Sequence, residues 1–147
     1  MSDLRDLYQQ VILDHNRRPR NFRKIADANR TAEGYNPLCG DRITVQLTVE
    51  DGIVKDVAFQ GAGCAISKAA ASMMTASVIG KPEREVDALF HRVHAMLSGA
   101  NGGAAEVGKL AVFAGVREFP SRIKCVTLAW HALQAALHAA AEPVSTE

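Results

Sequence analysis

The sequence predicts an α+β fold in which a small antiparallel β-sheet packs against helices. Two observations support this prediction. In the middle of the chain, apolar and polar residues alternate strictly over residues 43–50 and return after a two-residue turn, which is the period of a half-buried strand. On both sides of this segment, apolar residues recur every three or four positions, which is the period of an amphipathic helix. We therefore expect one central hairpin between helices.

The first helix is predicted near the start of the chain, between the capping residues Ser2 and Asp3 and the helix-stopping Pro19. Residues 17–24, which follow, contain five cations. Two interpretations are open for them: a solvated stretch that completes the C-terminus of the helix, where positive charge is favoured, or a docking patch for an acidic partner. The apolar face of this helix consists of Leu4, Leu7, Tyr8, Val11 and Ile12.

The hairpin is predicted over residues 43–60. Asp51 and Gly52 lie between its two strands, and both residue types tolerate the positive φ that a type I′ turn requires. The second strand returns with Val57 and Phe59 facing one side.

A helix is expected directly after the hairpin. The apolar period changes after Gly63, and Gly80 followed by Pro82 ends the new pattern. Cys64 therefore falls at a strand-to-helix junction. The face of this helix is formed by Ile66, Ala70, Met73 and Ser77.

The last third of the chain is predicted to be helical, with an interruption. One helix includes residues 86–93, a loop covers 98–103, a weaker helical segment covers 106–113, and a final helix opens at 119–121. The apolar face of the final helix consists of Val126, Ala129, Trp130, Leu133 and Leu137.

Length and charge restrict the class of protein. The chain has 147 residues and a net charge of +1, so we expect a single domain over residues 1–147, with residues 1–3 and 141–147 flexible. Near-neutral charge argues against nucleic acid as a partner, because such proteins usually carry a basic excess. The charged start lacks the apolar region of a signal peptide, and no run approaches the ~20 apolar residues of a membrane span. A cytosolic protein without a membrane association is expected.

The three cysteines are the main candidates for chemistry, since a reducing compartment and an odd count exclude a complete disulfide framework. Cys39 lies in a turn-forming segment with Asp41 two residues later, so that their side chains could converge. Cys64 lies at a predicted helix N-terminus and Cys125 near two cations, Arg122 and Lys124. Both surroundings favour the thiolate. Simple core packing is the alternative, because free cysteine is often buried.

The donor set by itself suits more than one metal centre. Three thiolates and one carboxylate satisfy tetrahedral zinc, and a cysteine-rich shell also suits iron–sulfur chemistry. The long intervals between the cysteines mean that only the tertiary fold could assemble such a site. His91 and His94, spaced i, i+3, are a rival ligand pair that we assign to a solvated face. The remaining histidines, His15, His131 and His138, are assigned in the same way.

Four segments of the sequence form recognisable motifs, three of them around the cysteines. They are Asn36-Pro37-Leu38-Cys39-Gly40-Asp41, Gly61-Ala62-Gly63-Cys64-Ala65-Ile66-Ser67, Arg122-Ile123-Lys124-Cys125-Val126-Thr127-Leu128-Ala129-Trp130, and Asp14-His15-Asn16-Arg17-Arg18-Pro19-Arg20-Asn21 near the start. In these segments the sequence resembles the IscU/NifU N-terminal family of iron–sulfur cluster assembly proteins, and more closely its SufU branch. The long interval between Cys64 and Cys125, with a helical insert over residues 83–115, favours that branch, as does Lys124 where IscU-type scaffolds carry histidine.

The resemblance implies a sheet of about three strands and a zinc ion bound by Cys39, Asp41, Cys64 and Cys125. It further implies that Cys39 accepts persulfide sulfur from a SufS-type, pyridoxal-phosphate-dependent cysteine desulfurase, and that Arg122 helps to engage that partner. Downstream iron–sulfur assembly proteins are further partners that the resemblance implies.

Two other functions stay open at this point. The first is a scaffold that assembles a [2Fe–2S] cluster on the same four residues. The second is a metal-free interaction domain with packed cysteines. Metal content separates the second from the others, because only a metal-free domain would purify without bound metal.

Overall fold

A computed structural model describes residues 2–26, 28–37, 40–98, 110, 120–138 and 144–145, with backbone only at 2–8, 98, 120–122 and 144–145. Within these ranges the chain forms four helices and four strands. In chain order they are α1 (Ser2–Arg17), β1 (Arg30–Asn36), β2 (Asp41–Glu50), β3 (Ile53–Ala62), α2 (Ala65–Val78), α3 (Glu83–Ser98), α4 (Pro120–Leu137) and β4 (Val144–Ser145).

The predicted hairpin is confirmed. β2 and β3 pair in antiparallel fashion, with Val45 opposite Phe59. Asp51 and Gly52 join them with φ angles of 54° and 74°, the left-handed pair that a type I′ turn needs. The inward residues of β2 alternate with outward ones along its whole length, as the period-two pattern predicted.

The sheet has the order β3-β2-β1-β4. β1 pairs antiparallel with β2, so the expected sheet of about three antiparallel strands is confirmed. The alternation of the sequence did not locate β1, because its buried positions are held by Ala32, Gly34 and Asn36 rather than by large apolar residues. The two-residue strand β4 pairs in parallel with β1.

The helices form a layer on one face of the sheet, with α4 packed against β1 and β2 and α2 packed against β3 and α4. α1 then packs on α2, and α3 on α4. The largest fully buried side chains between these layers include Trp130, Phe59, Ile43, Leu47 and Met74. The four predicted main helices are thereby confirmed, and none of the helices in the described ranges is long and apolar enough to cross a membrane.

The predicted loop over residues 98–103 and the predicted segment over 106–113 lie almost entirely outside the described residues. Ser98 is the exception in the loop, since it still belongs to α3. Leu110 is the exception in the helical segment, and it is buried.

α4 lies unusually close to β1 at Gly34. A Cβ atom at this position would stand 3.1 Å from the Leu128 carbonyl oxygen and 3.2 Å from the Ala132 Cβ. The missing side chain therefore lets the helix approach the strand. The same helix carries Cys125 one turn before Leu128, so this contact contributes to the position of that cysteine.

The basic segment 17–24 is docked on the protein rather than fully solvated. The Arg20 backbone N–H donates to Ser72 Oγ at 2.7 Å, and Asn21 Nδ2 donates to Thr75 Oγ1 at 3.0 Å. Arg20 also forms an ion pair with Asp14 at 2.8 Å. These contacts tie the chain between α1 and β1 to α2.

Three of the five cations in segment 17–24 are not neutralised by an ion pair in the described ranges. Arg17, Arg18 and Lys24 are exposed and form no ion pair within the described part of the chain, whereas Arg23 pairs with Asp56 at 2.6 Å. The segment therefore keeps an exposed positive surface.

Candidate metal centre

Three of the residues singled out in the sequence meet at one end of the sheet. Asp41 is the first residue of β2, Cys64 immediately precedes α2, and Cys125 lies in the second turn of α4. Their ligand atoms all lie within 4.8 Å of one another. The structure thus brings together donors that are 23 and 61 residues apart in sequence, since 64 − 41 = 23 and 125 − 64 = 61.

Cys64 is the N-cap of α2. Its backbone is extended, with φ −70° and ψ 168°, and its sulfur accepts a hydrogen bond from the Ser67 backbone N–H at 3.4 Å. Sulfur here occupies the position where serine or aspartate oxygens usually cap a helix. The first backbone N–H groups and the positive end of the helix dipole therefore face this side chain.

Asp41 is buried, with 4% of its surface exposed. Both carboxylate oxygens are engaged: Oδ1 accepts from the Cys64 backbone N–H at 3.1 Å, and Oδ2 accepts from Ser67 Oγ at 2.5 Å. A buried carboxylate needs such donors, because burying it unpaired would be costly. The two bonds fix the carboxylate against the start of α2.

Gly61 at the end of β3 and Gly63 just after it let the chain pass close to the start of β2. A Cβ at Gly63 would lie 3.1 Å from both Cγ and Oδ1 of Asp41. Gly61 has φ 150° and lies so close to β2 that a Cβ would stand 2.0 Å from the Arg42 carbonyl oxygen. Glycine at both positions therefore allows Asp41 and Cys64 to approach each other.

Cys125 completes the group from the helix side. It is 6% exposed and follows the half-buried Lys124. The cations Arg122 and Lys124 were expected to favour its thiolate, but the Arg122 side chain lies outside the described atoms. Its backbone places it in the first turn of α4, three residues before Cys125.

Cys39 lies outside the described residues, so its predicted role stays a prediction. The residues on either side form the expected turn. The Gly40 N–H donates to the Asn36 carbonyl oxygen at 2.8 Å, and Gly40 has a left-handed φ of 76°. Asn36 is almost fully buried, at 1% exposed. Asn36 is paired with Asp41 in the sheet, and this ladder contact closes the turn that carries Cys39.

The three described donors suit a tetrahedral metal ion. Zinc binds thiolate sulfur at about 2.3 Å and carboxylate oxygen at about 2.0 Å, which places tetrahedral ligand atoms roughly 3.3–3.8 Å apart. The three described ligand atoms lie within 4.8 Å of one another, so each pair is at most about 1.5 Å farther apart than in such a geometry. Two sulfurs and one carboxylate in a largely buried setting match zinc or an iron–sulfur cluster.

Ser67 belongs to the site although it was not predicted as a site residue. It contacts Asp41 through its hydroxyl, and its backbone N–H and hydroxyl lie 3.4 and 3.5 Å from the Cys64 sulfur. Its position, three residues after the cap, is where a polar side chain reaches back in a capping box. That spacing was the available sequence signal.

The histidines stay apart from this group. His15 Nδ1 lies 2.7 Å from Ser72 Oγ at the α1–α2 contact, and His91, His94 and His131 surround the ring of Phe90. Burial lowers the pKa of His131, and the nearby His94 lowers it further. In the described ranges, no second group of three or more potential metal ligands is found.

The comparisons with known proteins agree with the fold and identify the family. The family described as the NifU-like N-terminal domain matches residues 7–126. The iron–sulfur cluster assembly scaffold protein IscU of Streptococcus pyogenes serotype M1 is 41% identical over 138 residues, which cover 93% of this chain and 86% of that protein.

Two further similarities extend this result. The zinc-dependent sulfurtransferase SufU of Bacillus subtilis strain 168 is 38% identical over 134 residues, or 90% of each chain. A crystal structure from Fervidobacterium islandicum AW-1, named as a candidate iron–sulfur cluster assembly scaffold protein for the SUF system, superimposes with a TM-score of 0.83 at 32% identity, covering 87% of this chain and 94% of that one. By fold, by the Asp-Cys-Cys group and by these relatives, the chain belongs to the NifU-like N-terminal domain family of iron–sulfur cluster assembly proteins.

Proposed function

We propose that this protein is a zinc-dependent sulfur acceptor that takes persulfide sulfur from a SufS-type cysteine desulfurase onto Cys39. One observation carries the proposal: Asp41, Cys64 and Cys125 converge beside the turn that contains Cys39. In this proposal, those three residues and Cys39 are the four ligands of one zinc ion.

The donor chemistry favours this assignment. Zinc, when bound, keeps thiol ligands deprotonated at neutral pH and has no redox chemistry of its own. Cys64 caps α2, Cys125 lies within α4, and Asp41 is held by hydrogen bonds from Cys64 and Ser67. Cys39 is instead carried by the short connection between two strands, so its exchange away from the site requires no helix to unpack. It is therefore the best-placed acceptor.

The transfer step is a thiol–persulfide exchange. The Cys39 thiolate attacks the outer sulfur of the persulfide on the desulfurase cysteine, and a new S–S bond forms as the old one breaks. The electron pair of the broken bond leaves with the desulfurase cysteine as its thiolate. Cys39 then carries the persulfide, no net oxidation occurs, and the pyridoxal phosphate chemistry remains with the partner.

The exposed cations at the end of α1 and in the chain that follows it support a protein partner. Arg17, Arg18 and Lys24 form a positive surface on an otherwise near-neutral molecule, which suits an acidic face of a desulfurase. We propose Arg122 as a second contact with that partner. A cytoplasmic location and downstream iron–sulfur assembly proteins as recipients complete the proposal, with residues 1–147 acting as one domain.

The test is an incubation of the protein with the desulfurase and cysteine, followed by intact mass measurement. A sulfur adduct of about 32 Da on Cys39, absent in Cys39→Ala, is expected, together with a loss of desulfurase stimulation in that variant. Absence of the adduct, with full stimulation by Cys39→Ala, would contradict the proposal. Elemental analysis should find about one zinc per chain, lost on mutating Cys64 or Cys125.

A [2Fe–2S] scaffold is the second candidate function, and the name of the Streptococcus relative together with the same donor set favours it. Anaerobic reconstitution with iron and sulfide separates the two functions. A stable visible absorption of a cluster, transferable to an apo-protein, would favour the scaffold. Retention of zinc and no cluster absorption would favour the sulfur acceptor.

A further inference from the structure

Ser67 lies between two proposed metal ligands and is fully buried. Its hydroxyl donates to Asp41 Oδ2 at 2.5 Å, and its backbone N–H donates to the Cys64 sulfur at 3.4 Å. The hydroxyl oxygen also lies 3.5 Å from that sulfur. One side chain near the start of α2 thus contacts the oxygen donor and the sulfur donor together.

The hydrogen bond to Asp41 limits how the carboxylate can turn. Oδ1 already accepts from the Cys64 backbone N–H at 3.1 Å, so both carboxylate oxygens accept hydrogen bonds from the start of α2. A Cβ at Gly63 would touch the same group, which shows that little space remains on that side. Rotation of the carboxylate would break at least one of these two bonds, so together they hold its orientation.

We propose that Ser67 is a positioning residue of the metal centre: its hydroxyl orients Asp41 so that this carboxylate remains a ligand, and it thereby slows the release of the metal. The proposal rests on the proposed function insofar as it requires a metal at this site. Groups that hydrogen-bond metal ligands commonly change metal affinity by 10–100-fold when they are removed. In addition, the Ser67 backbone N–H donates a hydrogen bond to the Cys64 sulfur.

The experiment compares three variants. Ser67→Ala removes the hydroxyl, and Ser67→Thr retains it. Ser72→Ala is the matched control, because Ser72 is also a fully buried serine of α2 whose hydroxyl bonds His15 and the Arg20 backbone instead of a metal ligand. The rate of zinc release to a chromogenic chelator is measured for each, with the melting temperature of the metal-free protein.

We expect Ser67→Ala to release zinc about 10–100 times faster than the wild type, and Ser67→Thr and Ser72→Ala to release it at close to the wild-type rate. Cobalt(II) substituted for zinc supplies a readout of ligand geometry. Its visible bands should shift in Ser67→Ala, where the carboxylate is freed, and should remain unchanged in Ser72→Ala. A role confined to stability would leave these bands unaltered.

Wild-type release and an unchanged cobalt spectrum in Ser67→Ala would overturn the proposal. Equal acceleration in Ser67→Ala and Ser72→Ala would overturn it as well, because the effect would then follow lost stability. Fast zinc release from a folded Ser67→Thr variant would also overturn the proposal, because that variant retains the hydroxyl. A wild-type protein that binds neither zinc nor cobalt would contradict the proposed function itself, and the role of Ser67 with it.

Discussion

The position of the Asp41 carboxylate depends on a few neighbouring residues. The carboxylate is buried and contacts the Cys64 backbone N–H, the Ser67 hydroxyl and the chain at Gly63, which has no side chain. The sequence suggested Asp41 as a partner of Cys39 because the two are close in the chain. The spacing of Ser67 from Cys64 could have indicated a role at the helix cap, but not its contact with Asp41, which exists only because α2 starts beside β2.

A side chain at Gly63 should disturb this arrangement. In Gly63→Ala, the added methyl group would lie 3.1 Å from the Asp41 carboxylate, closer than ordinary contact, so we expect the carboxylate to move and zinc affinity to fall about tenfold or more. Competition with a chelator of known affinity measures the change. Ala62→Ser, which alters the exposed neighbouring position, is the control, and equal zinc affinity in both variants would refute the expectation.

At the scale of elements, the position of each ligand follows from where a strand or helix begins. Cys64 was predicted at a strand-to-helix junction from the change in apolar period, and it lies at the N-cap of α2. Cys125 was predicted in the first turns of the final helix, and it is there. Their convergence was not derivable from spacing, because it depends on how α2 and α4 cross the sheet.

β1 was the element that the residue pattern left out. Its inward positions are small or polar, because α4 packs directly against the strand and leaves no room for larger side chains. The small inward residues of β1 therefore explain two things: the sequence pattern did not predict the strand, and α4 can pack close to it.

Gly34→Ala tests this contact. The new methyl group would meet Leu128 at 3.1 Å and Ala132 at 3.2 Å, so α4 must shift outward, and we expect a loss of about 1–3 kcal/mol in the free energy of unfolding. Urea denaturation measures it. Thr31→Ala, at an exposed position of the same strand, should change it by less than about 0.5 kcal/mol. Equal unfolding midpoints for the two variants would show that α4 does not depend on the glycine.

For the molecule as a whole, a bound metal would join β2, α2 and α4. A ligand that binds only the folded state stabilises it by about 2.7 kcal/mol when its free concentration is a hundred times the Kd. Removing zinc with a chelator should therefore lower the melting temperature by several degrees, and adding zinc back should restore it. Calorimetry of the wild type beside Cys125→Ala checks this, since that variant should show no such difference. An unchanged wild-type melting temperature would argue against a metal that links these elements.

The interface of α3 and α4 should make stability depend on pH. Burial lowers the pKa of His131 below its ordinary value of 6.5, so the unfolded chain takes up a proton before the folded protein does. The contribution of His131 is therefore fully present above about pH 6.5 and is lost as pH falls through its folded pKa. His131→Gln should weaken the decline in unfolding free energy between about pH 7 and pH 5.

Urea unfolding at both pH values provides the measurement. His91→Gln is a suitable control, because His91 is exposed and contacts the same Phe90 ring. The unfolding free energy of His91→Gln should decline between the two pH values as it does in the wild type. If His131→Gln also follows the wild type, another group is responsible for the decline.

The cap of α2 has one more consequence, for how the centre can be observed. The Cys64 sulfur accepts the Ser67 backbone N–H, so the atom proposed to bind the metal also protects an amide proton. Hydrogen–deuterium exchange at Ser67 would then report on that sulfur directly. An amide that exchanges faster when the desulfurase docks would reveal a rearranged ligand set before any sulfur has moved.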